Sequence, residues 1–244
     1  MKKTILIIIS LAVFTVGSAY AQDLQKILDK YFKTIGQEKI LKVETIVSTG
    51  KTLQMGMEMP FKTITKRPNK AYMEVDIQGV KMVMAFDGKN GWAIQPWTGS
   101  QEPVDLLGPE LRPMREMSDM DGSLWNYVDK GHQIELLGTE EMEGTKVYVL
   151  KVTRKDGDIS HYYLDSEKYV MLKLIYSMVI NGQETEMVFL MSNYQDVEGY
   201  IMPFKTEQRF DGQSDMTITF DEVKFNVDID DAVFLKPAPA DPEN

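Results

Sequence analysis

The chain of 244 residues contains no cysteine and only two histidines, His132 and His161. Without cysteine there is no disulfide to brace the fold, so burial of apolar surface has to hold it. The same absence removes the residue that would be acylated in a lipoprotein. The two histidines stand apart, with no metal-ligand spacing and no neighbouring base or nucleophile in sequence. No nucleophile-elbow glycine pattern and no phosphate-cradling loop occurs either. The sequence therefore reads as a protein that is not an enzyme and holds no metal or cofactor. Cationic charge is also scarce, with 27 Lys and Arg against 37 Asp and Glu. That balance, with no basic patch interleaved with aromatics, excludes nucleic acid as a partner and disfavours anionic membrane surfaces.

Long apolar runs are limited to one, Ile5 to Val16. It follows Lys2 and Lys3 and leads to Ala19-Tyr20-Ala21, a small-x-small cleavage pattern. About a dozen apolar residues fall short of the roughly 20 that span a bilayer. Residues 1–21 are thus expected to be a signal peptide that exports the chain to the periplasm, with no stable membrane insertion afterwards. Its removal would take the net charge from −10 to −12 through loss of Lys2 and Lys3.

Beyond it, Leu24, Ile27, Leu28, Tyr31, Phe32 and Ile35 recur at helical spacing, with Gly36 as a stop. The period then changes to two. Leu53, Met55, Met57 and Met59 alternate with Thr52, Gln54, Gly56 and Glu58, Met73, Val75 and Ile77 with Glu74 and Asp76, and Val80, Met82, Met84 and Phe86 with Lys81, Val83 and Ala85. Turn dipeptides Gln78-Gly79, Asp87-Gly88 and Asn90-Gly91 punctuate these strands. Pro103 to Val128 reads as short inserted helices carrying Met114 and Met117. Strands resume from Ile134 to Val227, with hairpin turns at Lys155-Asp156-Gly157, Asn181-Gly182 and Asp211-Gly212. The count is about eleven strands in one domain, residues 22–236, followed by a flexible acidic tail, 237–244. The fold class is mainly β (α+β), with a large antiparallel sheet closing wholly or partly into a barrel.

Asp119-Met120-Asp121-Gly122 and Asp228-Ile229-Asp230-Asp231 are acidic clusters that lack full calcium-loop spacing. They read as a turn and a solvated chain end. The seventeen methionines are the less ordinary feature. Methionine is flexible and polarizable, so aligned Met suits either an irregular core or a cavity that accepts chains of variable shape.

Lys66-Arg67-Pro68-Asn69-Lys70, followed by a strand and then Phe86-Asp87-Gly88-Lys89-Asn90-Gly91-Trp92, resembles the LolA-like periplasmic carriers of outer-membrane lipoproteins. Asn226, the acidic step Asp228 to Asp231, Phe234 and Pro237 extend the resemblance to the C-terminal end. It implies an incomplete β-barrel whose N-terminal and inserted helices cover the open side over a hydrophobic cavity. The implied function is transport of lipid or lipoprotein acyl chains toward the outer membrane, with envelope membrane proteins as donor or acceptor. On that resemblance Arg67 matches the arginine that holds the lid and releases the ligand. The expected cavity residues are Met55, Met57, Met82, Met84, Phe86, Trp92, Met114 and Met117. The hairpin Val43 to Lys66, the Met-rich strands and Leu137 to Leu164 depart from the best-known carriers. The alternative is an envelope binding or scaffold module whose barrel interior is filled core, with partners on a strand edge or near Trp97 to Trp125. A hydrolase would rest on His132 and His161 with scattered carboxylates.

Overall fold

The structure is a computed structural model that describes residues 23–99, 102–180, 183–210 and 212–238, with side chains omitted for 178–184. The expected signal peptide, the Asn181-Gly182 turn, Asp211 and the end of the tail lie outside the described residues.

Thirteen strands form one antiparallel sheet in the order β6-β5-β4-β3-β2-β1-β13-β12-β11-β10-β9-β8-β7. The first six are β1 (Thr45–Gln54), β2 (Met57–Lys66), β3 (Lys70–Ile77), β4 (Val80–Phe86), β5 (Gly91–Ile94) and β6 (Val104–Leu106). The other seven are β7 (Gln133–Met142), β8 (Thr145–Thr153), β9 (Ile159–Asp165), β10 (Met171–Ile180), β11 (Gln183–Val197), β12 (Tyr200–Phe210) and β13 (Gln213–Phe225). Nearly every connection is a hairpin, and the long step from β6 to β7 joins the two edges of the sheet. Those edges do not pair with each other, so the sheet is an open, incomplete barrel with few short helices.

The strand count exceeds the expected eleven for two reasons: the run around Leu53 to Met59 is a hairpin, and β6 (Val104–Leu106) lies in the 103–128 stretch expected as short helices only. Met55 and Gly56 both have positive φ, 50° and 78°, and turn the chain between β1 and β2. Backbone twist of this sign matches tight hairpins, and Gly56 takes it without strain. The apparent alternation of Leu53, Met55, Met57 and Met59 therefore crosses a turn and does not share one face.

Register across the sheet gives a continuous apolar inner face. Met82 stands beside Val75, Val75 beside Phe61, Phe61 beside Gly50, and Gly50 beside Phe220. On the far half, Phe189 stands beside Leu174, Leu174 beside Tyr162, and Tyr162 beside Leu150. Helices cover two parts of this face. The helical run 23–35, α1, lays Leu24, Ile27 and Leu28 on Ile134, Leu150, Val152, Tyr162, Leu164 and Leu174. Helix α3 (Arg112–Ser118) packs Met114 on Ala71, Phe86, Ala93 and Leu106. The short α2 (Gln37–Ile40) connects α1 to the sheet.

On the opposite face the C-terminal segment is strapped across β2 to β5. Lys66 and Lys70 pair with Asp231 at 2.8 and 2.6 Å, and the fully buried Phe234 accepts a hydrogen bond from Trp92 through its carbonyl. Asp230 caps the turn that follows, accepting from Ala232 N. Hydrogen bonds from the two lysines hold the Asp231 carboxyl down at about 2.

Gly36 sits between α1 and α2 with φ 73°, pressed against the Gly199 turn. A Cβ there would lie 2.0 Å from the Gly199 carbonyl oxygen. Gly36→Ala is expected to cost about 1–2 kcal/mol of backbone strain plus about 1–3 kcal/mol of overpacking. Gly56→Ala, in open space, should show the strain alone; urea midpoints of the two variants compare them. Because the folded carboxyl of Asp231 is depressed, its contribution is present above the unfolded value and lost as pH falls through about 2. A carboxyl-resolved NMR titration should place its midpoint there.

Candidate functional site

Between the two helix-covered regions the inner face of β13, β1, β2, β3 and β4 encloses a cavity of about 480 Å³. Alternation along each strand supplies its wall: Thr52 and Gln54 from β1, Met59, Phe61 and Thr63 from β2, and Met73, Val75 and Ile77 from β3. Met82 comes from β4, and Met216, Ile218 and Phe220 from β13. Met117 of α3 closes one side, and Trp97 stands on the rim with most of its ring exposed. Gly50 makes room at the floor: its missing Cβ would sit 2.7 Å from the Phe61 ring, which meets Phe220 edge-on at 5.5 Å. Nearly all of the lining is apolar. Such a space can hold a flexible hydrocarbon.

The sequence-expected residues separate into three groups. Met82 and Met117 line the cavity, and Met57 packs on its Met59–Phe61–Val75 wall. Met84, Phe86 and Met114 instead form filled core under α3. Met55 and Trp92 lie elsewhere. Met55 occupies the β1–β2 turn and is 97% exposed. Trp92 faces the opposite side of the sheet, packed with Val83 and Ala85, because Gly91 and Ala93 take the inner positions of β5. Only small residues fit there beneath Leu111 and Met114. Met59, Met73, Ile77, Met216 and Ile218 were missed as lining; their alternation was visible, but not which strands meet around the void.

Arg67 lies in the β2–β3 connection, at the end of β2 remote from Met57. Its guanidinium donates to the carbonyls of Val43 (2.7 Å) and Ile40 (2.8 Å) and pairs with Asp121 at 2.6 Å. Gln37 adds a hydrogen bond to the Asp121 carbonyl. Lys130 holds Asp119 and the Gly122 carbonyl, so the first acidic cluster is engaged by cations. Arg67 thus ties α2, the sheet and the segment after α3 together at one point. Burial first, and then the Asp121 charge, push the nearby Tyr200 up to about 12.

At its other end α3 is held by charge. Glu116 accepts from Arg112 at 2.9 Å and from Arg154 at 3.1 Å, and Arg112 pairs with Asp158 at 2.6 Å. Arg154 also donates to the Tyr176 hydroxyl. The two histidines take no part. His132 Nδ1 accepts from the Lys155 amide, and burial followed by the Arg154 and Lys130 charges lowers its pKa. His161 lies within β9, opposite Ile175 and Lys151. Among the described residues no group of His, Asp and Glu could hold a metal ion, and no helix is long and apolar enough to cross a membrane.

No family model matches the sequence, and no curated protein matches it. Solved structures do. A DUF1329 family protein from Desulfovibrio piger is 15% identical with a TM-score of 0.59, over 85% of this chain and 96% of that one. A LolA superfamily protein from Nitrosomonas europaea is 15% identical with a TM-score of 0.58, over 87% and 97%. A domain described as outer-membrane lipoprotein-sorting, from Vibrio parahaemolyticus, is 14% identical with a TM-score of 0.54, over 83% and 95%. Identities this low speak to fold. With its open sheet, its covering helices and these neighbours, the chain has the LolA-like fold.

Proposed function

We propose that this chain is a periplasmic carrier that takes acyl chains of lipids or lipoproteins into the β13–β4 cavity. It conveys them toward the outer membrane, exchanging with membrane proteins of the envelope. The observation that carries this reading is the cavity itself, about 480 Å³ lined by five methionines and other apolar side chains. That volume falls within the roughly 300–1,000 Å³ of small-molecule sites. A scaffold with a filled interior has no use for such a void, which favours a carrier over a binding module. The solved neighbours described as LolA superfamily and lipoprotein-sorting support the same ligand class.

Binding of this kind needs no catalytic group, and the reading is non-enzymatic. Each buried methylene contributes about 0.8 kcal/mol, so ten supply roughly 8 kcal/mol before ordering costs are subtracted. That is enough to hold a chain reversibly. Methionine linings accommodate chains of different shape at little strain. Arg67 acts as the lid anchor, fixing α2 and the 119–122 segment against the sheet while cargo is exchanged.

Native mass spectrometry of the mature protein from a bacterial periplasm, with lipid extraction alongside, tests the reading directly. A near one-to-one acyl species supports it; a clean apo mass together with no uptake of a fluorescent acyl ester sinks it. Met82→Glu is expected to weaken uptake of that neutral ester by at least about tenfold, since a carboxylate in an apolar wall must be desolvated. Met55→Glu, on the exposed turn, should leave uptake unchanged in the same titration. Arg67→Met removes charge-assisted hydrogen bonds and leaves Asp121 half-buried without its cation. A loss of about 1.5–3 kcal/mol is expected in chemical denaturation. Hydrogen exchange should rise in α2 and in residues 119–122, while β8 and β9 stay protected.

A further inference from the structure

On the mainly apolar inner face, Arg112 and Glu116 of α3 meet Arg154, Ser160 and Tyr176 of the β8–β10 wall in a charged cluster. We propose that this cluster is the recognition site for a single anionic head, a carboxylate or phosphate, on the acyl cargo. Here the head competes with Glu116 for Arg154. The inference rests on the carrier reading above and names the class of ligand that the cavity takes.

Its hydrogen-bonding is incomplete in a specific way. Both arginines converge on one oxygen of Glu116, Arg112 through Nε at 2.9 Å and Arg154 through Nη1 at 3.1 Å. Arg154 has only 13% of its side chain exposed, yet its Nε has no hydrogen-bond partner among the described residues. The hydroxyl of Ser160, a residue 1% exposed, is unpartnered in the same sense. Ser160 stands directly across from Tyr176, and both guanidiniums lie over the Tyr176 ring, at 5.5 and 5.7 Å. Buried donors are ordinarily satisfied, and two unmet ones beside an arginine fork call for an acceptor with more than one oxygen. A carboxylate or phosphate has that geometry. Asp158 does not fill the role, because it pairs with Arg112.

The position of the cluster links head to tail. Glu116 and Met117 are consecutive in α3, and Met117 is cavity wall. Glu116, Arg154 and Ser160 are not themselves in the cavity lining, so the head of an amphiphile whose chain lies along the methionines would reach them by passing Met117. An anion replacing Glu116 on Arg154 would also free one of the two charged holds on α3, coupling loading to the helix that covers the hollow.

The test compares cis-parinaric acid with its methyl ester by fluorescence titration of the full mature chain. The acid is expected to bind at least about tenfold more tightly, the change expected of one charge-assisted hydrogen bond. Arg154→Met should abolish that preference. Glu116→Gln should strengthen binding of the acid and not of the ester, a sign that a purely structural role does not produce. Should Arg154→Met fail to fold, Glu116→Gln decides alone. Displacement of the bound acid by unlabelled palmitate or by lysophosphatidate tells carboxylate from phosphate. Equal affinity for acid and ester, or a preference that survives Arg154→Met, overturns the head site and leaves the carrier reading standing. Uptake of neither probe overturns both.

Discussion

Everything in this molecule follows from the need to cover the inner face of a sheet that does not close. Thirteen strands present an apolar surface on one side, and the edge strands β6 and β7 do not meet. Two helices have to shield it. At 1.5 Å per residue, the thirteen residues of α1 reach about 20 Å and the seven of α3 about 10 Å. Neither is long enough to cover the whole hollow. α1 fills the β7–β10 half and α3 fills the β3–β6 corner, and what remains is the space over β13, β1 and β2 and the adjoining parts of β3 and β4. The cavity is the part of the inner face that the helices do not reach.

The same constraint explains which methionines pack and which line the void. Met84 and Phe86 pack with Met114 of α3 in a buried core cluster. Met73, directly across from Met84, projects past the helix into the cavity. One row of side chains thus passes from core to wall over a single strand spacing. Gly50 and Phe61 set the floor depth, and the aromatic contacts among Phe61, Phe220 and Phe204 keep it rigid beneath a pliable methionine wall.

The architecture was legible because period-two alternation and hairpin glycines are local signals, and nearly every connection here is local. A hairpin from Val43 to Lys66 was legible but the place of its turn was not, since Met55-Gly56 interrupts no hydrophobic rhythm and lets the run from Leu53 to Met59 pass for one strand. Trp92 misled for a related reason: a large aromatic suggests an interior wall, whereas the inner positions of β5 admit only Gly91 and Ala93 under α3. The resemblance singled out Arg67, but its contacts with Ile40, Val43 and Asp121 join residues 24 to 54 positions apart. Pairings at that range leave no trace in spacing. The Glu116–Arg154 contact is invisible in sequence for the same reason.

The two arginine anchors of the 112–121 segment differ in what they hold, and that difference bears on how a lid can work. Arg67 spends two of its hydrogen bonds on main-chain carbonyls, which no soluble ligand can imitate without unfolding α2. It is therefore a fixed hinge. Arg154 is tied to α3 through a side-chain carboxylate that it shares with Arg112, leaving its own Nε unmet. A ligand anion can substitute for a carboxylate of the same charge and geometry, so this anchor can be exchanged without disturbing the sheet. A segment with one permanent and one replaceable attachment moves about the permanent one. On the carrier reading proposed above, the hinge is then at Asp121 and the opening at Glu116, beside the methionine wall.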